Sequence, residues 1–201
     1  MRTLTLAATA LLLVACGKKD DAADRAAADS TMGAMAPAPA ATTPSTAAPA
    51  GAPAVTDPQI AAIVVAANNV DIEAGKLAES KASNAKVKAF GKQMVTDHSA
   101  VNKQATALVT KLNVKPEENE TSRSLTSGGE QNRSPLQGKT GKDFDKAYID
   151  NEVAYHQQVL DAIDKTLIPN AQNAELKTLL TQTRPAIEAH LKMAKDIQAS
   201  L

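Results

Sequence analysis

The sequence predicts an all-α fold: a four-helix bundle built from two helical hairpins, joined by a long crossover and preceded by a disordered tether. Three observations carry this expectation. Residues 57–201 hold four stretches in which apolar side chains recur at helical spacing, and no stretch with sustained period-two alternation. The breaks inside each pair are short, at Ser83-Asn84 and at Pro169-Asn170, whereas Asn113 to Lys142 separates the pairs. Ahead of them, Gly17 to Thr56 is dominated by Ala, Pro, Thr, Ser and Asp and has too little apolar surface to bury.

The chain begins with a short basic region at Arg2 and an apolar run from Leu4 to Val14. That run is shorter than the roughly 20 residues needed to cross a bilayer, so residues 1–15 are expected to form a signal peptide. It ends in Leu13-Val14-Ala15-Cys16, which resembles the lipobox at which bacterial lipoproteins are cleaved and lipidated on cysteine. Cys16 is therefore the expected lipidation site, and a multi-chain lipid would hold the protein stably on a membrane. Gly17 follows the cysteine in place of an aspartate, which by resemblance to lipoprotein sorting rules favours the outer membrane, facing the periplasm. Residues 16–56 form the expected anchor and linker, an extended spacer of about 3 Å per residue where it adopts polyproline geometry.

At Asp57-Pro58 the composition changes to that of a folded domain, residues 57–201. Asp57 is expected to cap the first helix, with Pro58 in its first turn. Ile60, Ile63, Val64, Ala67, Val70, Ala74, Leu77 and Ala78 form its stripe to about Lys81. The second helix starts near Ser83-Asn84 and carries Val87, Phe90, Met94, Val101, Ala105, Leu108 and Leu112. The crossover contains Gly128-Gly129 and is expected to hold one short helix. The third helix runs from about Gly141 to Leu167, with Phe144, Tyr148, Ile149, Val159 and Ile163 inward. The fourth carries Leu176, Leu179, Leu180, Ile187, Leu191, Ala194 and Ile197, with a kink or restart at Pro185.

Composition excludes several classes of function. Lys and Arg balance Asp and Glu at 22 each, which leaves no electrostatic footprint for nucleic acid. Two Phe, two Tyr and no Trp provide no stacking platform for single strands. With Cys16 as the single cysteine, the domain can hold no internal disulfide, cysteine-based zinc site or cysteine nucleophile.

The informative residues are polar ones on the apolar stripes. Asp71 falls between Ala67 and Ala74, with Glu73 rotated toward the edge. His98 lies between Met94 and Val101, flanked by Asp97. Glu152 and His156 are one turn apart on the stripe of Ile149 and Val159, and His190 sits between Ile187 and Ala194. All three histidines thus point inward from three different helices, and the remaining helix supplies a carboxylate. Counted from the hairpin turns, their heights agree to about one turn, so one mid-bundle layer can contain them. Such a layer can be satisfied by hydrogen bonds among Asp71, Asp97, Glu152 and the histidines, or by a transition metal such as zinc, iron, manganese or copper.

Asp71-Ile72-Glu73-Ala74-Gly75-Lys76-Leu77-Ala78, then Ser83-Asn84, Val87-Lys88-Ala89-Phe90, Met94-Val95 and Asp97-His98, resemble the opening hairpin of family 4142 of the domains of unknown function (DUF4142). Phe144-Asp145-Lys146-Ala147-Tyr148, Glu152-Val153, His156, Arg184-Pro185 and His190-Leu191 continue the pattern to the end of the domain. The resemblance implies a ferritin-like four-helix fold in outer-membrane proteins, and Asp71, Asp97, His98, Glu152, His156 and His190 as the recurring polar positions. It implies no settled activity. Di-iron ferritin-like proteins carry Glu-x-x-His on two helices, whereas this chain has adjacent Asp97-His98 and a Glu152 to His156 spacing of four, so a single ion is the expected stoichiometry of any metal site.

Two functions from different classes follow. One is an envelope-anchored binding or stress-related module with a metal-accepting polar layer, partnered by the membrane through its lipid. The other is a metal-dependent redox or hydrolytic enzyme of ferritin-like type. The chain has no Gly-rich phosphate loop, nucleophile elbow or zinc-protease motif, which favours the first.

Overall fold

The computed structural model describes residues 55–201, so the expected signal peptide, Cys16 and all but the last two residues of the tether lie outside the described residues. Five long helices make up the described part, with no strand among them: α1 (Asp57–Lys81), α2 (Ala85–Lys111), α3 (Glu120–Gln137), α4 (Gly141–Ala162) and α5 (Ala174–Gln198). α1 packs chiefly on α2 and α4 chiefly on α5, while α2 against α5 and α1 against α4 close the four-helix bundle.

Local chemistry explains each boundary. Thr56, not the expected Asp57, caps α1: its hydroxyl accepts from Gln59 N, and the Gln59 side chain returns to Thr56 N. Asp57 is free for another task because its carboxylate reaches the far hairpin, accepting from Gln172 N and Asn173 N at 2.9 Å each. Asp145 mirrors it, accepting from Ser83 N at 3.0 Å, from Asn84 N at 2.9 Å and from the Ser83 hydroxyl. The two hairpin turns have related sequences, Ala82-Ser83-Asn84-Ala85 and Ala171-Gln172-Asn173-Ala174, and in both the asparagine caps the outgoing helix.

α4 does not stop before Pro169. It passes through a π-helical turn, Ile163–Leu167, and one further α-turn, Ile168–Asn170. The wider turn bonds Ile168 N to Ile163 O immediately ahead of a proline that has no amide to extend an ordinary ladder. Arg184 of α5 grips this turn with two parallel bonds to Asp164, of 2.7 and 2.9 Å. The helix does not restart at Pro185: α5 runs unbroken through it. Pro185 and the Thr181 carbonyl that loses its donor lie on an exposed face, where water can serve that carbonyl.

The crossover helix is the largest departure from expectation. α3 spans 18 residues, runs through Gly128-Gly129 and packs along α1. Gly129 permits that approach, since a Cβ there would lie 2.5 Å from a Val70 methyl. A second close approach joins α1 to α2, where Gly75 and Gly91 face one another and a Cβ on either would meet the other's carbonyl oxygen within 3 Å. The buried centre of α1 accordingly follows Ile60, Val64, Asn68, Asp71, Gly75 and Ala78, leaving Ala67, Val70, Ala74 and Leu77 half-buried beside it.

Two apolar cores result. One gathers Ile60, Ile63, Leu160, Leu167, Leu180 and Ile187, and the other Val87, Phe90, Met94, Phe144, Tyr148 and Ile149. Between them along each helix lie the polar positions.

Candidate metal centre

Each bundle helix contributes to the polar layer from the step between the two cores. α1 supplies Asn68 and Asp71, α2 His98, α4 Glu152 and His156, and α5 His190, all between 1% and 5% exposed. Asp97 differs: its side chain is 41% exposed and reaches the layer from the rim. The imidazoles form a near-equilateral triangle, with ring centres 5.4 Å apart for His98 and His190, 5.5 Å for His156 and His190, and 5.8 Å for His98 and His156.

Each ring has one nitrogen engaged and one free. His98 Nδ1 lies 2.7 Å from Asn68 Oδ1, and because the Asn68 amide nitrogen donates to Val64 O, that oxygen must accept, so His98 Nδ1 is the donor. His156 Nδ1 donates to the Glu152 carbonyl at 3.0 Å, with Glu152 Oε2 at 3.3 Å. His190 Nε2 donates to Asp97 Oδ2 at 2.9 Å. In their neutral forms these tautomers would carry lone pairs on His98 Nε2, His156 Nε2 and His190 Nδ1, and all three nitrogens are buried without a partner. One ligand atom from each histidine lies within 4.8 Å of the other two, and Asp71, Glu152 and His156 form a second cluster on the same measure.

Burial and charge divide the titrating groups. Burial pushes the Asp71 carboxyl well up, Glu152 beside it adding to the rise against the opposing pull of His156. Burial holds His98 well below the ordinary imidazole range, and the neighbouring His156 and His190 lower it further. His190 is lowered by burial despite its bond to Asp97. Burial also opposes charge on His156, but hydrogen bonding to Glu152 and the fields of Asp71 and Glu152 carry it up to about 9. Without an ion, the layer therefore favours a neutral Asp71, neutral His98 and His190, and an imidazolium at His156.

The chain matches the profile of the family described as "Domain of unknown function (DUF4142)" over residues 40–197. It belongs to the DUF4142 family. No curated protein and no solved structure matches it. In this DUF4142 domain the structure assembles Asp71, His98, Glu152, His156 and His190 in one layer and sets Asp97 at its edge. Sequence reasoning missed Asn68, which fixes the His98 tautomer, and Tyr155, whose hydroxyl donates to Ala67 O at 3.1 Å. Asn68 could have been found as a polar residue three positions before Asp71 on the same face. Tyr155 carried no such signal.

Proposed function

We propose that this DUF4142 domain is a transition-metal-binding module held in the cell envelope. The supporting observation is the gathering of three buried histidines that each bring a ring nitrogen within 4.8 Å of the other two, every ring having one nitrogen hydrogen-bonded and the other without a partner. An unpartnered buried donor or acceptor costs about 1 to 3 kcal/mol, so three such ring nitrogens together form a poor core and, once His156 sheds its extra proton, a good ligand set. Neutral imidazoles suit zinc, copper, iron or manganese, and three of them leave a coordination position to fill. Asn68, Asp97 and Glu152 would serve as the outer partners that orient metal-bound histidines. His156 would have to yield its extra proton as the ion binds.

The envelope location rests on the Leu4 to Val14 run and on Leu13-Val14-Ala15-Cys16. In this reading the lipid on Cys16 holds the protein at the outer membrane, with residues 16–56 as spacer and the ferritin-like bundle in the periplasm. No described helix is long and apolar enough to cross a membrane. Cys16→Ala should leave an unprocessed precursor without acyl label; normal labelling would refute the anchor. Calorimetric titration of untagged, chelator-treated protein with each of the four metals tests the site. One ion bound per chain with sub-millimolar affinity, lost in His98→Leu, His156→Leu and His190→Leu, is the expected result. No binding by any of the four would leave a hydrogen-bonded interaction module.

A further inference from the structure

A cavity of about 470 Å³ is lined by α1, α2, α3, α4 and α5, next to the polar layer. The space opens to solvent, and its volume falls in the range of small-molecule sites. Much of its wall is aliphatic, including Ile63, Val101, Val159, Ile163, Leu180 and Ile187. Its α3 side includes Ser124, Gly128 and Gly129, which contribute little bulk, and a Cβ at Gly128 would meet nothing within 4 Å.

Polar side chains interrupt this wall, and among them Asn68, Asp71 and His98 belong to the polar layer. The Asn68 amide is already engaged by Val64 O and His98, but Asp71 Oδ1 is buried and accepts from no N–H or hydroxyl, its carboxyl having the Glu152 carboxyl as hydrogen-bonding neighbour. A ligand that donates one hydrogen bond would satisfy it. No Lys or Arg lines the cavity, its acidic lining residues are Asp71 and Glu120, and burial keeps His98 from supplying a positive charge, so an anionic head group has no counter-charge there.

We propose that this cavity binds an uncharged apolar molecule bearing a hydroxyl, with the hydrocarbon body between the aliphatic walls and the hydroxyl donating to Asp71 Oδ1. The site goes beyond the metal reading, because Asp71 lies outside the histidine triad. It is tested with chelator present, so that loss of either proposal leaves the other standing.

The full chain is titrated with the uncharged fluorescent probe N-phenyl-1-naphthylamine, which is then displaced by 1-dodecanol or by dodecanoate at pH 8. Saturable one-to-one probe binding is expected, with dodecanol displacing it at least tenfold more effectively than dodecanoate. Ala67→Phe and Ala162→Phe, which place bulk in the cavity, should each weaken the probe at least tenfold while melting cooperatively. If one of them fails to fold, the other carries the comparison. Asp71→Leu should bind the probe and lose most of the preference for dodecanol. Non-saturable fluorescence, a folded cavity-filling variant that binds the probe unchanged, or equal displacement by dodecanoate would overturn the proposal.

Discussion

Asp57 and Asp145 hold each other's hairpins: Asp57 in the first turn of α1 and Asp145 in the second turn of α4 each accept two backbone amides from the turn of the opposite hairpin. Asp145 is 1% exposed, and its loss removes the acceptor of two part-buried backbone amides and of the Ser83 hydroxyl. Asp145→Ala should cost about 2 to 4 kcal/mol, and Asp57→Ala, in a wetter setting, about 1 to 2. Urea unfolding measures both, and equal small losses would show that the two carboxylates are ornamental.

Adjacent glycines in α3 should respond in opposite directions. Gly129→Ala drives a methyl into Val70 and should destabilise the domain by about 1 to 3 kcal/mol. Gly128→Ala meets empty space and should stabilise the helix by about 0.5 to 1 kcal/mol. Thermal melts of the pair would detect the sign difference, and a gain in both would mean that α3 does not pack on α1 as described.

Stability without metal should peak near pH 6.5. His98 and His190 have lowered proton affinities in the fold, so below about 6.5 the unfolded chain takes up protons that the folded chain refuses, and stability falls. His156 runs the other way: its contribution is fully present below about 6.5 and is lost as pH rises through about 9. Asp71, raised by burial, likewise loses its contribution as pH rises. Between pH 6.5 and 9 the decline should be on the order of 2 kcal/mol. A denaturant midpoint constant across that range, measured in chelator, would contradict this assignment of protons.

The partner of His98 should matter to metal without touching it. Asn68→Leu removes the acceptor that sets the His98 tautomer, and it should weaken metal affinity about 10- to 100-fold while all three imidazoles remain. Glu73→Ala, on an exposed edge between Lys76 and Arg133, should leave affinity unchanged. Calorimetric titration of both variants reads the difference, and equal affinities would remove Asn68 from the site.

Helical periodicity was enough to place α1, α2, α4 and α5 and to turn Asp71, His98, Glu152, His156 and His190 inward, because a buried stripe is a property of one helix at a time. Long-range contacts are not written that way. The task of Asp57 depends on a turn more than a hundred residues away, so its local role as a cap looked sufficient. Gly128-Gly129 looks like loop chemistry until Val70 is placed beside it. The proline rules also gave breaks at Pro169 and Pro185 where a π-turn and an exposed carbonyl sustain the helices instead.

The three imidazoles are each no more than 3% exposed, and this sets a timescale as well as an affinity. An ion at their centre would leave only when the bundle opens locally, on the slow clock of breathing motions. Above a modest concentration, a chelator would then strip the protein at a rate set by that opening and indifferent to further chelator. Such a domain would act as a slow reservoir, holding its cargo through brief changes in the surrounding supply.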